Sequence, residues 1–399
     1  MTNGIPNTRN KHPPVTRVSA VECTSYDTKA VESAVRRAID TLGGIGKFAS
    51  NGETILLKPN LLQPKSPEEA VTTHPEIVRA MIRLVRETGA NPVVGDSPGG
   101  RCSEKMLHYL AQKTGMDRVC EEEGVEFIFL IDSQTVSFPQ GGIIRSFNLA
   151  SYLSRVAGVI SLAKLKTHTL TGLTGAVKNT FGLIPGLEKS DIHSRIPDVN
   201  EFSEMLVDLA ECVRPRLSVV DGILAMEGDG PTAGVPRHIG RIVASENPHA
   251  LDAFLAGMVG AGNIPTVEIA RRRGLVPNDI EVIGDASTAT RVEGFKMPPK
   301  PHAFGMIRGL LGYGLNESFS RKPVFLDSRC TLCGSCIEAC PAEALRKGKK
   351  MPVIDRKLCI RCYCCQEVCG YKAIELRRQL LRSMGEVAAA GIKRYLKVK

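Results

Sequence analysis

The sequence contains no tryptophan, and aromatic residues make up only 5% of its 399 residues. Proteins that bind single-stranded nucleic acid place aromatic side chains for base stacking within a basic surface. This chain has a net charge of +10, but it has no recognisable nucleic-acid-binding module. The composition therefore argues against nucleic acid and favours other anionic partners, namely phosphorylated substrates, acidic redox proteins or an anionic lipid surface.

Long hydrophobic runs are also missing. No apolar run reaches the roughly 18 residues that a membrane-spanning helix needs, and the polar N-terminal sequence lacks the apolar segment of a secretory signal. We expect a cytoplasmic protein without a transmembrane segment, in which residues 1–14 are flexible. Peripheral contact with an anionic membrane stays open as an alternative.

Several nucleotide and hydrolase motifs are absent. No GxGxxG sequence follows the first predicted strand, and the chain has neither a Walker A sequence nor a GxSxG elbow. Nicotinamide-dependent, nucleotide-hydrolysing and serine-hydrolase functions therefore lack their usual support.

Residues 15–285 alternate short apolar strands with amphipathic helices. One helix is expected after Asp27 and another from Pro75, with strands at 54–57 and 92–95 between and after them. Continuous apolar strands that alternate with helices predict an α/β domain, whose mostly parallel sheet has helices on both faces. Ligands of such sheets bind at the carboxyl ends of the strands.

The composition changes near residue 286. Residues 286–324 are rich in proline and glycine and are expected to be a connector. A cysteine-rich module follows at 325–372. Residues 373–399 place apolar and basic side chains at helical spacing, which predicts a basic amphipathic helix. This helix is expected to pack back on the protein, or to dock an acidic redox partner or an anionic membrane surface.

Nine of the 13 cysteines fall between Cys330 and Cys369. Eight of them form two runs of the pattern CxxCxxCxxxC, which is the ligand spacing of bacterial two-cluster ferredoxins. In that pattern the fourth cysteine of each run ligates the cluster of the other run. We therefore predict two [4Fe–4S] clusters, one held by Cys330, Cys333, Cys336 and Cys369, and the other by Cys340, Cys359, Cys362 and Cys365.

Structural zinc is the alternative to clusters, but zinc sites pair two CxxC units across a long loop, which is not the spacing here. The module also departs from the ferredoxin pattern at two positions. Gly370 replaces the proline that follows the first run, and Cys364 is a ninth cysteine without a ligand role. The simplest interpretation of Cys364 is a small packed side chain.

Polar residues follow four predicted strands of the α/β domain. Because these strand ends lie along one edge of the sheet, their side chains are expected to converge on an anionic ligand. A long lysine-rich segment at 162–186, expected to be an irregular loop, contributes most of them. The predicted substrate-binding residues are Lys58, Asn60, Ser97, Lys164, Lys166, Lys178 and Asn179.

His168 is the predicted proton donor of this site, because an unperturbed histidine titrates near neutral pH. Asp96, Asp221 and Glu227 are expected to tune the lysines or to orient His168. Each of these side chains also has a simpler interpretation as a solvated loop charge, a helix cap or a turn former.

The α/β residues resemble the domain-of-unknown-function 362 family. The similar stretches are ILLKPNLL, THPEIV, VVGDSPGG, KLKTHTLTGLTGAVKN and VDGILAMEGDGP, and the resemblance covers about residues 15–285. The resemblance implies an α/β fold and an iron–sulfur-associated role, but it implies no substrate.

Three functions are compatible with these features. The first is an oxidoreductase, acting as a reductase, that passes electrons from a low-potential donor through the clusters to an anionic small molecule. The second is a non-catalytic electron-transfer subunit that docks a partner enzyme. In the third, the clusters are structural or sensory. A bound small molecule would separate the first function from the second.

Overall fold

A computed structural model describes residues 15–99, 104–186, 188–285, 290–298 and 321–377. The predicted flexible segment 1–14, most of the predicted connector and residues 378–399 of the predicted basic helix lie outside these residues.

A nine-stranded sheet forms the centre of the α/β domain. Its strands follow the order β11-β1-β10-β9-β7-β2-β3-β4, and β8 pairs with β7. The five strands from β9 to β4 are parallel, whereas β10 runs antiparallel to both of its neighbours. The strands are β1 (Thr16–Glu22), β2 (Thr54–Lys58), β3 (Asn91–Asp96), β4 (Phe127–Phe129), β7 (Gly158–His168), β8 (Gly172–Thr174), β9 (Leu217–Glu227), β10 (Val235–Ser245) and β11 (Ile280–Gly284). A separate hairpin pairs β5 (Ser133–Ser137) with β6 (Ser146–Ala150).

Helices cover both faces of this sheet, as predicted. Successive β2 residues point to opposite sides, so Ile55 and Leu57 pack with α1 and α2, whereas Leu56 packs with α7. The carboxylate of Asp27 caps α1, and Pro75 occupies the first turn of α2. The helices are α1 (Thr28–Asp40), α2 (Pro75–Glu87), α3 (Glu104–Thr114), α4 (Met116–Glu122), α5 (Ala176–Asn179), α6 (Glu188–Arg195), α7 (Val199–Val213), α8 (Pro248–Met258) and α9 (Pro265–Arg272).

The cysteine-rich module has wider limits than the sequence predicted. Strand β12 (Lys322–Phe325) lies inside the predicted connector and pairs antiparallel with β15 (Ile374–Arg377). The expectation that a helix begins at residue 373 is therefore wrong for 374–377. Ile374 and Leu376 are buried there while the residues after each are more exposed, and this alternation matches a strand.

The module consists of two halves related by a shift of 29 residues. Each half has a one-turn helix, α10 (Ser335–Glu338) or α11 (Cys364–Glu367), and a short hairpin joins β13 (Leu345–Arg346) to β14 (Val353–Ile354). Gly334 and Tyr363 occupy equivalent positions before these helices, and both have positive φ angles of 89° and 64°. Tyr363 therefore adopts a conformation that favours glycine.

None of the described helices is long and apolar enough to cross a membrane.

Candidate active site between the two domains

Strand β7 extends beyond the end of β2, and its extension carries the lysines and the histidine of the predicted site. Pairing with β2 ends where Lys58 faces Ser161, but β7 continues to His168 and turns back into β8. The segment 162–186 was predicted to be an irregular loop, but it contains the end of strand β7, the hairpin to β8 and the short helix α5. Lys164, Lys166 and His168 alternate with apolar or small side chains, so all three lie on one side of the strand.

Lys58 and Asp96 form a buried ion pair where β2 and β3 end. The Lys58 ammonium lies 2.8 Å from Oδ1 of Asp96, and it donates hydrogen bonds to the Pro59 carbonyl and to Oδ1 of Asn179. The amide of Asn179 donates to the Lys58 carbonyl and to Ser161. Lys58 and Asn179, both predicted to bind substrate, are thus fully engaged in holding the strand ends together.

Lys164 and Asp221 form a second buried pair between β7 and β9. The ammonium lies 2.8 Å from Oδ2 of Asp221 and donates to the Tyr26 hydroxyl at 3.0 Å. That hydroxyl donates to Oδ1 of Asp221 at 2.7 Å. The backbone N–H of His74, which caps α2, donates to the same carboxylate. Asp221 is therefore a structural hub that satisfies Lys164.

Lys166 has no carboxylate partner among the described residues. Its Nζ donates to Oδ1 of Asn60 and to the Val71 carbonyl, both at 2.6 Å, and the side chain is 1% exposed. Burial lowers the pKa of Lys166 well below its usual value, and the nearby charge of Lys178 lowers it further. The amine has acceptors but no counter-ion.

Lys178 differs from the other three predicted site lysines, because its ammonium binds no protein oxygen within the described part of the chain. It extends from α5, is half-buried, and lies over the ring of Phe181 at 5.4 Å. Burial lowers its pKa, and the carboxylate of Glu367 opposes that change. Its ammonium is therefore available to an anion.

His168 faces the cysteine-rich module. Its Nδ1 accepts hydrogen bonds from the backbone N–H groups of Leu170 and Thr171, so the neutral ring carries its proton on Nε2. Nε2 lies 3.1 Å from Oε1 of Glu367, although the angle is not that of a regular hydrogen bond. Burial and the charge of Lys178 lower the pKa of His168. A histidine held neutral does not have the near-neutral pKa on which the proton-donor prediction rested.

Glu367 is a site residue that the sequence analysis missed, because it lies in the cysteine module. Burial alone would raise the pKa of its carboxyl, but His168, Lys178 and His193 outweigh burial and lower it. Glu367 is therefore an anion at the centre of this cationic edge.

Two predicted residues have other partners. The carboxylate of Glu227 accepts a hydrogen bond from the backbone N–H of Lys296, rather than from a site lysine, so its predicted tuning role finds no support. The Ser97 hydroxyl accepts from the backbone of Gly186, and the Ser97 carbonyl accepts from Lys189. Lys189 and His193, on α6, line the site but were not predicted, because 188–195 shows little helical periodicity.

These side chains line two adjoining cavities of about 40 and 90 Å3, both open to solvent. The inner cavity is lined by Lys164, Lys166 and His168, and the outer cavity by Ser97, Lys189 and His193. Both are also lined by Asn60, Leu62, Lys178 and Glu367. We call the two cavities together the chamber.

Helix α11 of the cysteine module forms one wall of the chamber. Cys364, Glu367 and Val368 line the outer cavity, and Glu367 also lines the inner one. Cys364 is thus buried, as expected, but it lies at the chamber rather than in the module's own interior.

Polar contacts hold the module against the α/β domain. Arg321 forms a two-point ion pair with Asp229 at 2.8 and 3.0 Å, and the Tyr363 hydroxyl donates to the Arg321 carbonyl. The side chain of Gln63 donates to the Glu367 carbonyl. Tyr363 also packs into the core of the α/β domain, which explains why a tyrosine occupies a position that favours glycine.

Four cysteines of the module lie around one small cavity. They are Cys330, Cys333, Cys336 and Cys369, although Cys369 belongs to the second run. In the other set, the thiol of Cys359 interacts electrostatically with Cys362 and Cys340. The last cysteine of each run accepts a backbone hydrogen bond at 3.3 Å, from Ala344 or Ala373. Such bonds stabilise thiolates that ligate a cluster.

Single-ion sites are not found among the described residues, where no three histidine, cysteine or acidic side chains are close enough to share one metal ion. A cubane cluster binds its four cysteines at four separate irons, so its ligands lie farther apart. This separation is compatible with the ligands of a cluster.

Comparison with known proteins identifies both parts of the chain. The profile of the family described as "Domain of unknown function (DUF362)" matches residues 55–257, and a 4Fe-4S dicluster domain matches 322–370. The thylakoid-associated protein sll1697 of Synechocystis is 35% identical over 309 residues, which are 74% of this chain and 92% of that protein.

Two more distant similarities were also found. The indolepyruvate oxidoreductase subunit IorA of Pyrococcus horikoshii is 26% identical over 60% of this chain, but only 35% of that protein is covered. The lactate racemase apoprotein from Thermoanaerobacterium thermosaccharolyticum aligns with a TM-score of 0.40 and 12% identity, over 63% of this chain and 58% of that one. The family match, together with the cysteine module, shows that this chain is a member of the DUF362 family with a fused [4Fe–4S] ferredoxin-like domain for electron transfer.

Proposed function

We propose that this protein is an iron–sulfur oxidoreductase, acting as a reductase, that delivers electrons from its ferredoxin-like module to a small anionic substrate in the chamber. The observation that carries the proposal is the position of α11. This helix includes the predicted ligand Cys365, and its Cys364 and Glu367 line the chamber. A substrate in the chamber would therefore lie beside the ferredoxin-like module.

Two clusters are proposed, with the two sets of four cysteines predicted from the sequence as their ligands. When bound, such clusters supply single electrons at low potential. In the first cysteine run Cys333 is exposed, whereas Cys336 is buried. In the second run Cys365 is buried, and its neighbour Cys364 lines the chamber.

Lys178 is the proposed anion-binding residue, because its ammonium binds no oxygen of the described chain and lines both cavities. Asn60 turns its amide oxygen toward Lys166, which leaves its amide nitrogen free to donate to a ligand. His168 presents an Nε2–H that can donate a hydrogen bond to substrate. Because its ring is neutral, we assign it to orienting the substrate, and the proton that accompanies reduction comes from water.

The donor is proposed to be an acidic redox protein that docks on a basic patch of the module. The patch consists of the six exposed basic side chains of residues 346–357 and two exposed apolar ones, Val353 and Leu358. Opposite charge accelerates encounter between redox partners, and apolar contacts then stabilise the complex. The basic members are Arg346, Lys347, Lys349, Lys350, Arg356 and Lys357.

The proposal is tested by reducing the protein anaerobically with dithionite, removing the reductant, and adding small carboxylates and phosphates one at a time. A substrate should restore the visible absorption of the oxidised clusters. Lys178→Met should weaken its apparent affinity by about one to two orders of magnitude, since a charge-assisted hydrogen bond contributes about 1.5–3 kcal/mol. Lys29→Met, at an exposed position on α1, is the matched control.

Iron and acid-labile sulfide are measured on the same preparation. About eight irons per chain are expected for two clusters. If the clusters are present and no small anion reoxidises them, the reductase proposal is wrong.

A non-catalytic electron-transfer subunit is the second candidate. The similarity to IorA, which is a subunit of a larger oxidoreductase, favours it. In the experiment above, this candidate predicts reoxidation by an acceptor protein and not by any small anion.

A further inference from the structure

Lys166 differs from the other two buried lysines at the strand ends, Lys58 and Lys164, in the kind of its partners. Lys58 has a carboxylate and two further acceptors, and Lys164 has a carboxylate and a hydroxyl. Lys166 has two neutral acceptors, the Asn60 side chain and the Val71 carbonyl.

Two acceptors match a neutral amine. An ammonium group has three N–H donors and would leave one unsatisfied in a buried site, whereas a neutral amine has two N–H donors and one lone pair. With both donors bound, the lone pair of Lys166 is left for chemistry. The depressed pKa of Lys166, caused by burial and by the neighbouring charge of Lys178, agrees with this geometry.

The surroundings of Lys166 suit a nucleophile. Its side chain lines the inner cavity together with Lys178, whose ammonium can hold an anionic group. A desolvated lysine beside a second cationic group is an arrangement that activates amines toward carbonyl carbons.

We propose that Lys166 forms a reversible imine with a small anionic carbonyl compound, of the 2-oxo acid class, whose carboxylate binds Lys178. This inference names the substrate class of the proposed reductase and therefore rests on that function for its biological role. The imine itself needs no electron donor, so imine formation and the reductase function can be tested independently.

The step is balanced without an added reagent. Nζ of Lys166 attacks the carbonyl carbon, a C–N bond forms, and the C–O bond breaks. The two amine hydrogens leave with the carbonyl oxygen as water, and no atom is oxidised or reduced. In this step Asn60 and Val71 first orient the amine and then lose their hydrogen bonds as the N–H groups are consumed.

The experiment traps the imine on the full-length, cluster-containing protein. The oxidised protein is incubated anaerobically at pH 7 with pyruvate and sodium cyanoborohydride, which reduces imines but not ketones, and the modified lysines are located by peptide mass spectrometry. At this pH only about one in two thousand exposed lysines with an ordinary pKa is neutral. Lys166 is therefore expected to be labelled at least about tenfold faster than exposed lysines such as Lys29.

Two matched compounds test the requirement for both chemical groups. Lactate, which has no carbonyl, should compete with pyruvate and slow labelling without modifying Lys166. Butanone, which has no anionic group, should label Lys166 at least about tenfold more slowly, because it forgoes the charge-assisted contact with Lys178.

Lys166→Arg keeps a basic side chain but removes the nucleophilic amine, so it should lose the fast label while background labelling of surface lysines persists. The result on the parent protein stands even if this variant folds poorly. Fast labelling of Lys178 in place of Lys166, or equal labelling of Lys166 and exposed lysines, would overturn the proposal and leave Lys166 as a structural bridge. Imine trapping without cluster reoxidation would instead reject the reductase function alone.

Discussion

Replacement by methionine should lower the unfolding free energy at the buried Lys58 but not at the half-buried Lys178. Lys58 neutralises Asp96, whose other recorded donor is the backbone N–H of Leu61. Lys58→Met therefore leaves a buried carboxylate without its counter-ion and two acceptors without a donor. Removing one partner of a buried pair costs about 3–5 kcal/mol of unfolding free energy.

Lys178→Met removes a charge that has no carboxylate within ion-pair distance in the described chain. The new thioether stays over the ring of Phe181, where sulfur–aromatic contact is favourable. No hydrogen-bond acceptor loses a partner, so the unfolding free energy should stay within about 1 kcal/mol of the parent value or rise.

Urea denaturation under anaerobic conditions measures both effects. Far-ultraviolet circular dichroism follows the α/β domain, and visible absorption follows the clusters separately. The double variant Lys58→Met/Asp96→Asn should recover part of the loss, because it also removes the unpaired carboxylate. If Lys58→Met costs less than about 1 kcal/mol, or as little as Lys178→Met, the division of these lysines into structural and ligand-binding residues is wrong.

Two further predictions concern pH and partner binding. His74 is held neutral by burial, which lowers its pKa to about 4, so unfolding takes up a proton below pH 6.5 and stability falls as the pH drops toward 4. Between pH 7 and 5 the parent should lose about 2 kcal/mol more than His74→Gln, measured by denaturation at both values; parallel losses would contradict the buried, neutral ring. In the basic patch, Lys347→Glu/Lys350→Glu should slow reduction by an acidic ferredoxin by about tenfold at low salt and flatten the salt dependence of the rate. Lys29→Glu serves as the control, and an unchanged salt dependence would place the docking site elsewhere.

The sequence was sufficient to predict the alternating helices and strands, the two-sided packing of the sheet and the cysteine module. These features depend on local signals, such as the apolar run at β2, the Asp27 cap and the cysteine spacing. The segment at 162–186, which was wrongly predicted to be an irregular loop, also contained a signal. Lys164, Lys166 and His168 repeat at every second residue, which indicates a strand, but strands of a parallel sheet are usually apolar on both sides.

The roles of the lysines could not be predicted from the sequence because they depend on pairing between distant residues. Lys58 and Lys178 are both lysines in polar segments that follow predicted strands, so the sequence does not distinguish them. Only the packed structure shows that Asp96 reaches Lys58 and that no carboxylate binds Lys178 within the described chain. Glu367 was missed for the same reason, since it is 199 residues from His168 along the sequence.

Both domains contribute charged side chains to the chamber. Lys58, Lys164, Lys178 and Lys189 contribute four positive charges at this site, and Asp96 and Asp221 contribute two negative ones. The module supplies a third negative charge through Glu367, which reduces the positive excess to one if Lys166 is uncharged. An anionic ligand must therefore approach Lys178 against the repulsion of Glu367.

Glu367→Gln should consequently strengthen anion binding. The amide keeps the size of the side chain, and the backbone contact with Gln63 does not depend on the carboxylate. We expect inorganic phosphate to bind about tenfold more tightly to the variant, as measured by titration calorimetry, provided that iron content equals that of the parent. Adding Lys178→Met should abolish this gain, because the same ammonium binds the anion. Unchanged phosphate affinity in Glu367→Gln would mean that the anion does not bind beside Lys178.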